Sequence, residues 1–170
     1  MSSANLQSVL SERFPEGLSD VGGGEKSYRA TVARDALPEV CRTLRDDFGF
    51  DYLACLAGLD REECVEVVYY VYAIAADLEA VLRAEAPKDD CRVPSVSHVW
   101  RAALWHERET AEMLGVTFEG HPDPRHLLLP EGWIGHPLRK DYEPTPDYTR
   151  PSQLDPDVWA EFTRRVQQEY

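Results

Sequence analysis

The chain of 170 residues carries 18 Lys and Arg against 31 Asp and Glu, a net charge of −13. That length suits one domain with a proper core plus tails and is short for two domains of ordinary size. The acidic balance argues against a nucleic-acid footprint and against docking on an anionic membrane surface.

Leu6, Val9, Leu10 and Phe14 recur at helical spacing, which predicts a first helix over residues 5–14, stopped by Pro15-Glu16-Gly17. Its opening, MSSANLQSVL, has neither a basic n-region nor an apolar h-region, and no stretch approaches the ~20 apolar residues of a membrane span. The expectation is a soluble, cytosolic protein without direct membrane insertion. Gly22-Gly23-Gly24 has no phosphate-loop context and reads as a flexible linker; Ser27 to Val32 reads as a strand with Tyr28, Ala30 and Val32 on one face. Asp35 is the predicted N-cap of a helix over 36–48, whose stripe is Leu37, Val40, Cys41, Leu44 and Phe48, with Gly49 as its stop.

Three strands follow, over 50–59, 64–74 and 78–86, rich in Val and Tyr. The last, LEAVLRAEA, is equally compatible with a helix on propensity. Pro94-Ser95 opens another predicted helix, with Val96, Val99, Trp100, Ala103 and Leu104 inward and Gly115 ending it; 116–118 fits a short strand. Beyond Asp141 the prolines through Pro151 favour an extended path, and Asp155-Pro156 caps a terminal helix striped by Trp159, Phe162 and Val166. That stripe requires burial, against a partner or against the home domain. The periodicities together give an α+β fold: a two-layer domain over 1–142, with a mostly antiparallel or mixed sheet covered on one side by helices, and a tail over 143–170 ending in a short helix.

Candidate chemistry is sparse. Cysteines at 41, 55, 64 and 91 form no CxxC pair and have no histidines at zinc-finger spacing, so no iron–sulfur or zinc site is expected; they read as small buried hydrophobes. His121, His126 and His136, with Asp123 and Glu131, match no compact metal set, and hydrogen-bonding histidines are the better reading. Glu107 and Glu109, two apart on a helix, point to different faces and do not form a catalytic pair. With Arg108 and Glu112 as i, i+4 neighbours, this stretch reads as a solvated helical face with one salt bridge. Arg139-Lys140-Asp141 is a local basic step suited to protein contact. There is no nucleophile elbow and no Cys with a sequence-local His, so no catalytic residues are assigned.

The most informative run is Trp105 to Tyr142, a helix end entering a proline-studded, charge-dense loop. Such a loop carries many backbone N–H and C=O groups outside any ladder, which must be satisfied elsewhere. Glu107-Arg108-Glu109, Met113, Gly115, Phe118, Gly120-His121-Pro122, Arg125, Leu128, Pro130, Trp133, Gly135 and Pro137-Leu138-Arg139-Lys140-Asp141-Tyr142 closely resemble the signature of the thirty-kilodalton-type subunit of respiratory complex I. That family includes the C subunit of bacterial NADH-quinone oxidoreductase and the J subunit of its photosynthetic relative. Looser similarity runs through Phe50-Asp51-Tyr52-Leu53, Gly58-Leu59-Asp60, Val65 to Ile74 and Ser95-Val96 before Trp100. The family usually has an aromatic at Ala111, Asp at Glu112, Phe at Leu114 and Arg at His126.

The resemblance implies the same two-layer fold and a cofactor-free structural subunit in the hydrophilic arm of a complex I-type quinone oxidoreductase. In such complexes FMN, iron–sulfur clusters and quinone sit on partner subunits, and electron transfer drives ion pumping. It implies contacts with the large quinone-reducing subunit and with iron–sulfur subunits, on the cytoplasmic side of the cell membrane. Arg108, Glu109, His121, Pro122, Arg125, Trp133, Arg139, Lys140, Asp141, Trp159 and Phe162 are the candidate interface residues. Two alternatives stand beside it: the homologous subunit of a membrane-bound energy-converting hydrogenase, and, more distantly, a stand-alone metal-dependent hydrolase built on the histidine cluster.

Overall fold

The structure, a computed structural model, describes residues 3–130 and 133–143. The chain divides into Met1–Lys140 and Asp141–Tyr170; the predicted terminal helix, with Trp159 and Phe162, lies outside the described residues.

The first unit is α+β. In chain order it comprises α1 (Ser3–Arg13), β1 (Leu18–Gly24), β2 (Ser27–Val32), α2 (Leu37–Phe48), β3 (Tyr52–Asp60), β4 (Cys64–Ala73), β5 (Leu78–Pro87), β6 (Arg92–Pro94), α3 (Ala103–Leu114) and β7 (Thr117–Glu119). Five strands make a mixed sheet ordered β1-β2-β5-β4-β3, in which only the β2–β5 pair is parallel. The segment over 78–86 is therefore a strand. Its Ala80, Leu82, Ala84 and Ala86 alternate inward opposite the buried Val71, Tyr69, Val67 and Val65 of β4, and this cross-strand burial overrides its helical propensity. The inward face joins Leu6 and Leu10 of α1 and Val40, Cys41 and Leu44 of α2 in one core, whereas Tyr52, Leu59 and Tyr70 on the opposite face are exposed.

Four expectations are corrected. The triple glycine is no linker: it ends β1, where Gly22, Gly23 and Gly24 pair with Arg29, Tyr28 and Ser27 in a hairpin. Glycine is needed at Gly23 because its φ is 143° and a Cβ there would overlap the Ser27 carbonyl. Val9 faces outward on α1 while Leu6 and Leu10 are buried. Asp35 makes no side-chain cap to α2; it sits in a 3-10 turn (Arg34–Ala36), and the Ala33 carbonyl accepts the N–H groups of Ala36 and Leu37 at 3.0 and 3.1 Å. Gly49 does end that helix, left-handed at φ 74°.

The fourth correction bears on function. The predicted helix from Pro94-Ser95 begins only at Ala103, and residues 95–102 form turns. Val96, Val99, Trp100 and Ala103 are buried as predicted, but Leu104 is only half-buried. A side chain satisfies the backbone of that turn: Glu107 Oε1 accepts the Val96 N–H at 2.7 Å. Trp100 Nε1 donates to the Phe50 carbonyl at 2.8 Å and fixes the segment against the start of β3.

Candidate functional site: a loop held from beneath by α3

Helix α3 buries Ala103, Glu107, Thr110 and Leu114, a stripe at helical spacing in which one position is a carboxylate. Glu107 is fully buried, receives Ser95 Oγ at 2.6 Å, and so staples the turn before α3 to the helix itself. Burial pushes its pKa up to about 7, against the lowering effect of the Ser95 and Val96 donors. The second carboxylate, Glu112, is also buried and accepts the backbone N–H groups of Leu127, Leu128 and Leu129 at 2.9, 2.7 and 3.4 Å. Burial alone would raise its pKa; the three N–H donors and nearby His126 outweigh that and hold it below the ordinary range.

Other side chains of α3 and of the loop complete the support. Arg108 donates through Nε to the Arg125 carbonyl at 2.8 Å and through Nη2 to the His126 carbonyl at 2.7 Å, while its guanidinium lies 5.5 Å from the Trp105 ring. His121 Nδ1 accepts the Asp123 N–H at 3.0 Å, which leaves the proton on Nε2, facing the Leu104 carbonyl at 3.1 Å. His136 Nδ1 meets the Glu112 carbonyl at 3.0 Å, and Arg139 Nε donates to the Leu114 carbonyl at 2.7 Å. These bonds answer orphan carbonyls of the α3 C-terminus. A Cβ on Gly115, at φ 74°, would lie 2.5 Å from the His136 ring, so glycine is required for both backbone and packing. Asp60 at the end of β3 accepts the Lys140 N–H at 2.8 Å and pairs with Lys88 at 2.9 Å, which closes the loop onto the sheet.

The predicted solvated face of α3 is thus wrong on two counts. Glu107 and Glu112 are both buried, Glu107 in the α3 stripe and Glu112 on the other side of the helix beneath the loop amides, and Arg108 bonds loop carbonyls and lies 3.6 Å from Asp123 instead of forming an i, i+4 pair with Glu112. Position 107 falls at helical spacing with Ala103, Thr110 and Leu114, and that placement on the stripe was the available signal; for position 112 the sequence held none. Of the candidate interface residues, Glu109, Pro122, Arg125, Lys140 and Asp141 are exposed, whereas Arg108, His121, Trp133 and Arg139 are half-buried, and three of these (Arg108, His121 and Arg139) hold the loop's own backbone or that of α3. Arg125 grips Asp123 with two bonds of 2.7 and 2.8 Å and holds that carboxyl well below the usual carboxylate range. His121 meets the Leu104 carbonyl and the Asp123 N–H, His126 and His136 meet the carboxylate and the carbonyl of Glu112, and no group of three or more His, Cys, Asp or Glu among the described residues could hold a metal ion. Cys41 alone of the four free thiols is fully buried; Cys55, Cys64 and Cys91 are partly so.

With its backbone tied down, the segment turns apolar side chains outward. Leu128, Ile134 and Leu138 of the loop, with Trp105 of α3, are each at least 60% exposed.

An α+β domain whose internal charges serve to shape one presented loop has the construction of a subunit in an assembly. Residues 30–148 match the family model of the 30-kDa subunit of the respiratory-chain NADH dehydrogenase, and the chain belongs to that family. It is 40% identical over 140 residues to the C subunit of the NADH-quinone oxidoreductase of Chloroherpeton thalassium, covering 79% of this chain and 58% of that longer protein. It is also 36% identical over 154 residues to the C subunit of the F(420)H(2) dehydrogenase of Methanosarcina mazei, covering 88% of this chain and 97% of the relative. Among solved structures, a trypsin-resistant fragment of Nqo5 matches with a TM-score of 0.59 and 29% identity, over 69% of this chain and 98% of the fragment. No described helix is long and apolar enough to cross a membrane.

Proposed function

We propose that this chain is a structural subunit in the hydrophilic arm of a complex I-type quinone oxidoreductase, and that it holds the quinone-reducing subunit and its iron–sulfur neighbours in place without binding a cofactor itself. Flavin, clusters and quinone belong to those partners, electron transfer through them drives ion translocation, and the subunit sits peripherally on the cytoplasmic side of the membrane. The observation that carries this reading is the loop over 120–140, whose backbone is bonded from within by Glu112, Arg108 and Arg139 while Leu128, Ile134 and Leu138 project outward. Ordering those side chains in advance lowers the entropic cost of docking.

The names of the relatives support two donors. NADH is the first reading, and the Methanosarcina relative, matched over nearly its whole length, favours a second in which the donor is F(420)H(2). Affinity purification of the complex, followed by assay of the co-purifying dehydrogenase with each donor, distinguishes them.

The interface itself is tested by Leu128→Asp combined with Ile134→Asp. Both side chains are exposed, so the isolated chain should melt within about 0.5 kcal/mol of the parent, while co-purification of partner subunits is lost. Normal recovery of partners by the double variant removes the loop from the interface.

A further inference from the structure

Among the described residues Glu107, fully buried, has no lysine or arginine as counter-ion. The groups that face it are the Cys41 thiol from α2, the Tyr69 hydroxyl from β4, Ser95 from the turn before α3, and His121 from the loop, whose Nε2 stands 3.9 Å away. None of these carries a fixed positive charge: His121 Nδ1 accepts the Asp123 N–H, and Arg108, which lines the same cavity of about 190 Å3, turns to the loop carbonyls. A carboxylate in such a place suffers the full cost of desolvation, and a neutral carboxylic acid does not.

The hydrogen bonds around it accommodate both forms. Ser95 Oγ lies 2.6 Å from Glu107 Oε2 and 2.7 Å from Ser97 Oγ, and either serine can donate in the second contact. The Ser97 N–H points at Ser95 Oγ from 3.2 Å, and Ser97 is partly exposed. When Glu107 is ionised, Ser97 donates to Ser95 and Ser95 donates to the carboxylate. When it is protonated, the carboxyl O–H donates to Ser95 and Ser95 donates to Ser97. Every hydroxyl keeps a partner in either direction and no heavy atom has to move.

We propose that Glu107 is a buried proton-holding site, loaded and emptied through the Ser95 and Ser97 hydroxyls as a two-step relay to solvent. On release, the carboxyl O–H bond breaks as the proton bonds to Ser95 Oγ, the original Ser95 proton passes to Ser97, and the Ser97 proton passes to water. One proton leaves, one carboxylate stays, and both hydroxyls end intact with their directions reversed. The site exists in the chain itself and does not depend on the identity of the assembly.

The full-length chain, labelled with carbon-13 at the glutamate carboxyls, tests this by NMR across pH. One glutamate should titrate near neutral pH, and that transition should be absent in Glu107→Gln. Ser95→Ala removes a donor to the ionised form, so the midpoint should shift upward and proton exchange at the carboxyl should slow; Ser95→Thr restores the hydroxyl and should reverse both changes. Glutamates that all titrate in the ordinary acidic range overturn the proposal, as does a neutral transition that persists in Glu107→Gln. Should Glu107→Gln fail to fold, the parent chain decides the matter. A folded pKa above the unfolded value means stability present at low pH and lost as pH rises, so between about pH 5 and 6 the folding constant should fall by up to about tenfold per unit. A flat or rising constant in that window overturns the proposal.

Discussion

Glu112 shows how one residue shapes a surface that it does not itself touch. Its carboxylate replaces the missing ladder for three consecutive amides, Leu127 to Leu129, and so decides which way Leu128 points. Hydrogen bonds to a charged group contribute roughly 1.5–3 kcal/mol each, and they are not additive when they share one acceptor. Glu112→Ala should therefore destabilise the chain by about 3 kcal/mol, with hydrogen exchange at the Leu127–Leu129 amides rising more than at the β4–β5 ladder. Equal protection of those amides in the variant would show that the loop is ordered by something else. Because the folded pKa of Glu112 lies below its unfolded value, its contribution is present at neutral pH and is lost as pH falls through the acid range. Arg139 adds a role the sequence does not show: expected as an interface charge, it also completes the C-terminus of α3 through its Nε at Leu114.

At the scale of elements, the contact that sets the loop's platform is α3 against β3. Gly58 makes it possible. A Cβ there would collide with Leu114 Cδ1 and lie 2.9 Å from Thr110 Cγ2, both on buried residues with little room to yield. Gly58→Ala should cost about 1–3 kcal/mol through overpacking, read as a lowered denaturation midpoint. Since α3 bears Glu107, Glu112 and the Leu114 carbonyl, the same variant should also raise exchange in the loop. An unchanged midpoint would mean that α3 shifts freely on the sheet. The turn before α3 belongs to this scale as well, because a glutamate in the second turn of the helix accepts the Val96 N–H and ties that turn to the helix.

For the molecule as a whole, the core cluster formed by the described residues runs from Leu6 to Phe118, within the unit Met1–Lys140. A chain truncated after Glu143 should therefore keep a single cooperative unfolding transition with a midpoint close to that of the full chain, as calorimetry would register. A broad or absent transition would show that residues 144–170 complete the fold.

The sequence by itself determined the family, the α+β class, the α2 stripe with its Gly49 stop, and the paired strands, because these rest on local periodicity and on residue types that are written in order along the chain. It also singled out the Trp105–Tyr142 run as the segment whose backbone needs partners outside any ladder. It could not tell a solvated charge from a buried one. Glu107, Arg108, Glu112 and Arg139 take their roles from the Ser95 hydroxyl and from backbone groups up to 25 residues away in sequence, at Val96, Arg125-His126, Leu127 to Leu129 and Leu114. Only tertiary structure brings those donors and acceptors within 3.5 Å, and at that range desolvation, set by the surrounding core, decides whether a charge faces water or holds the chain together.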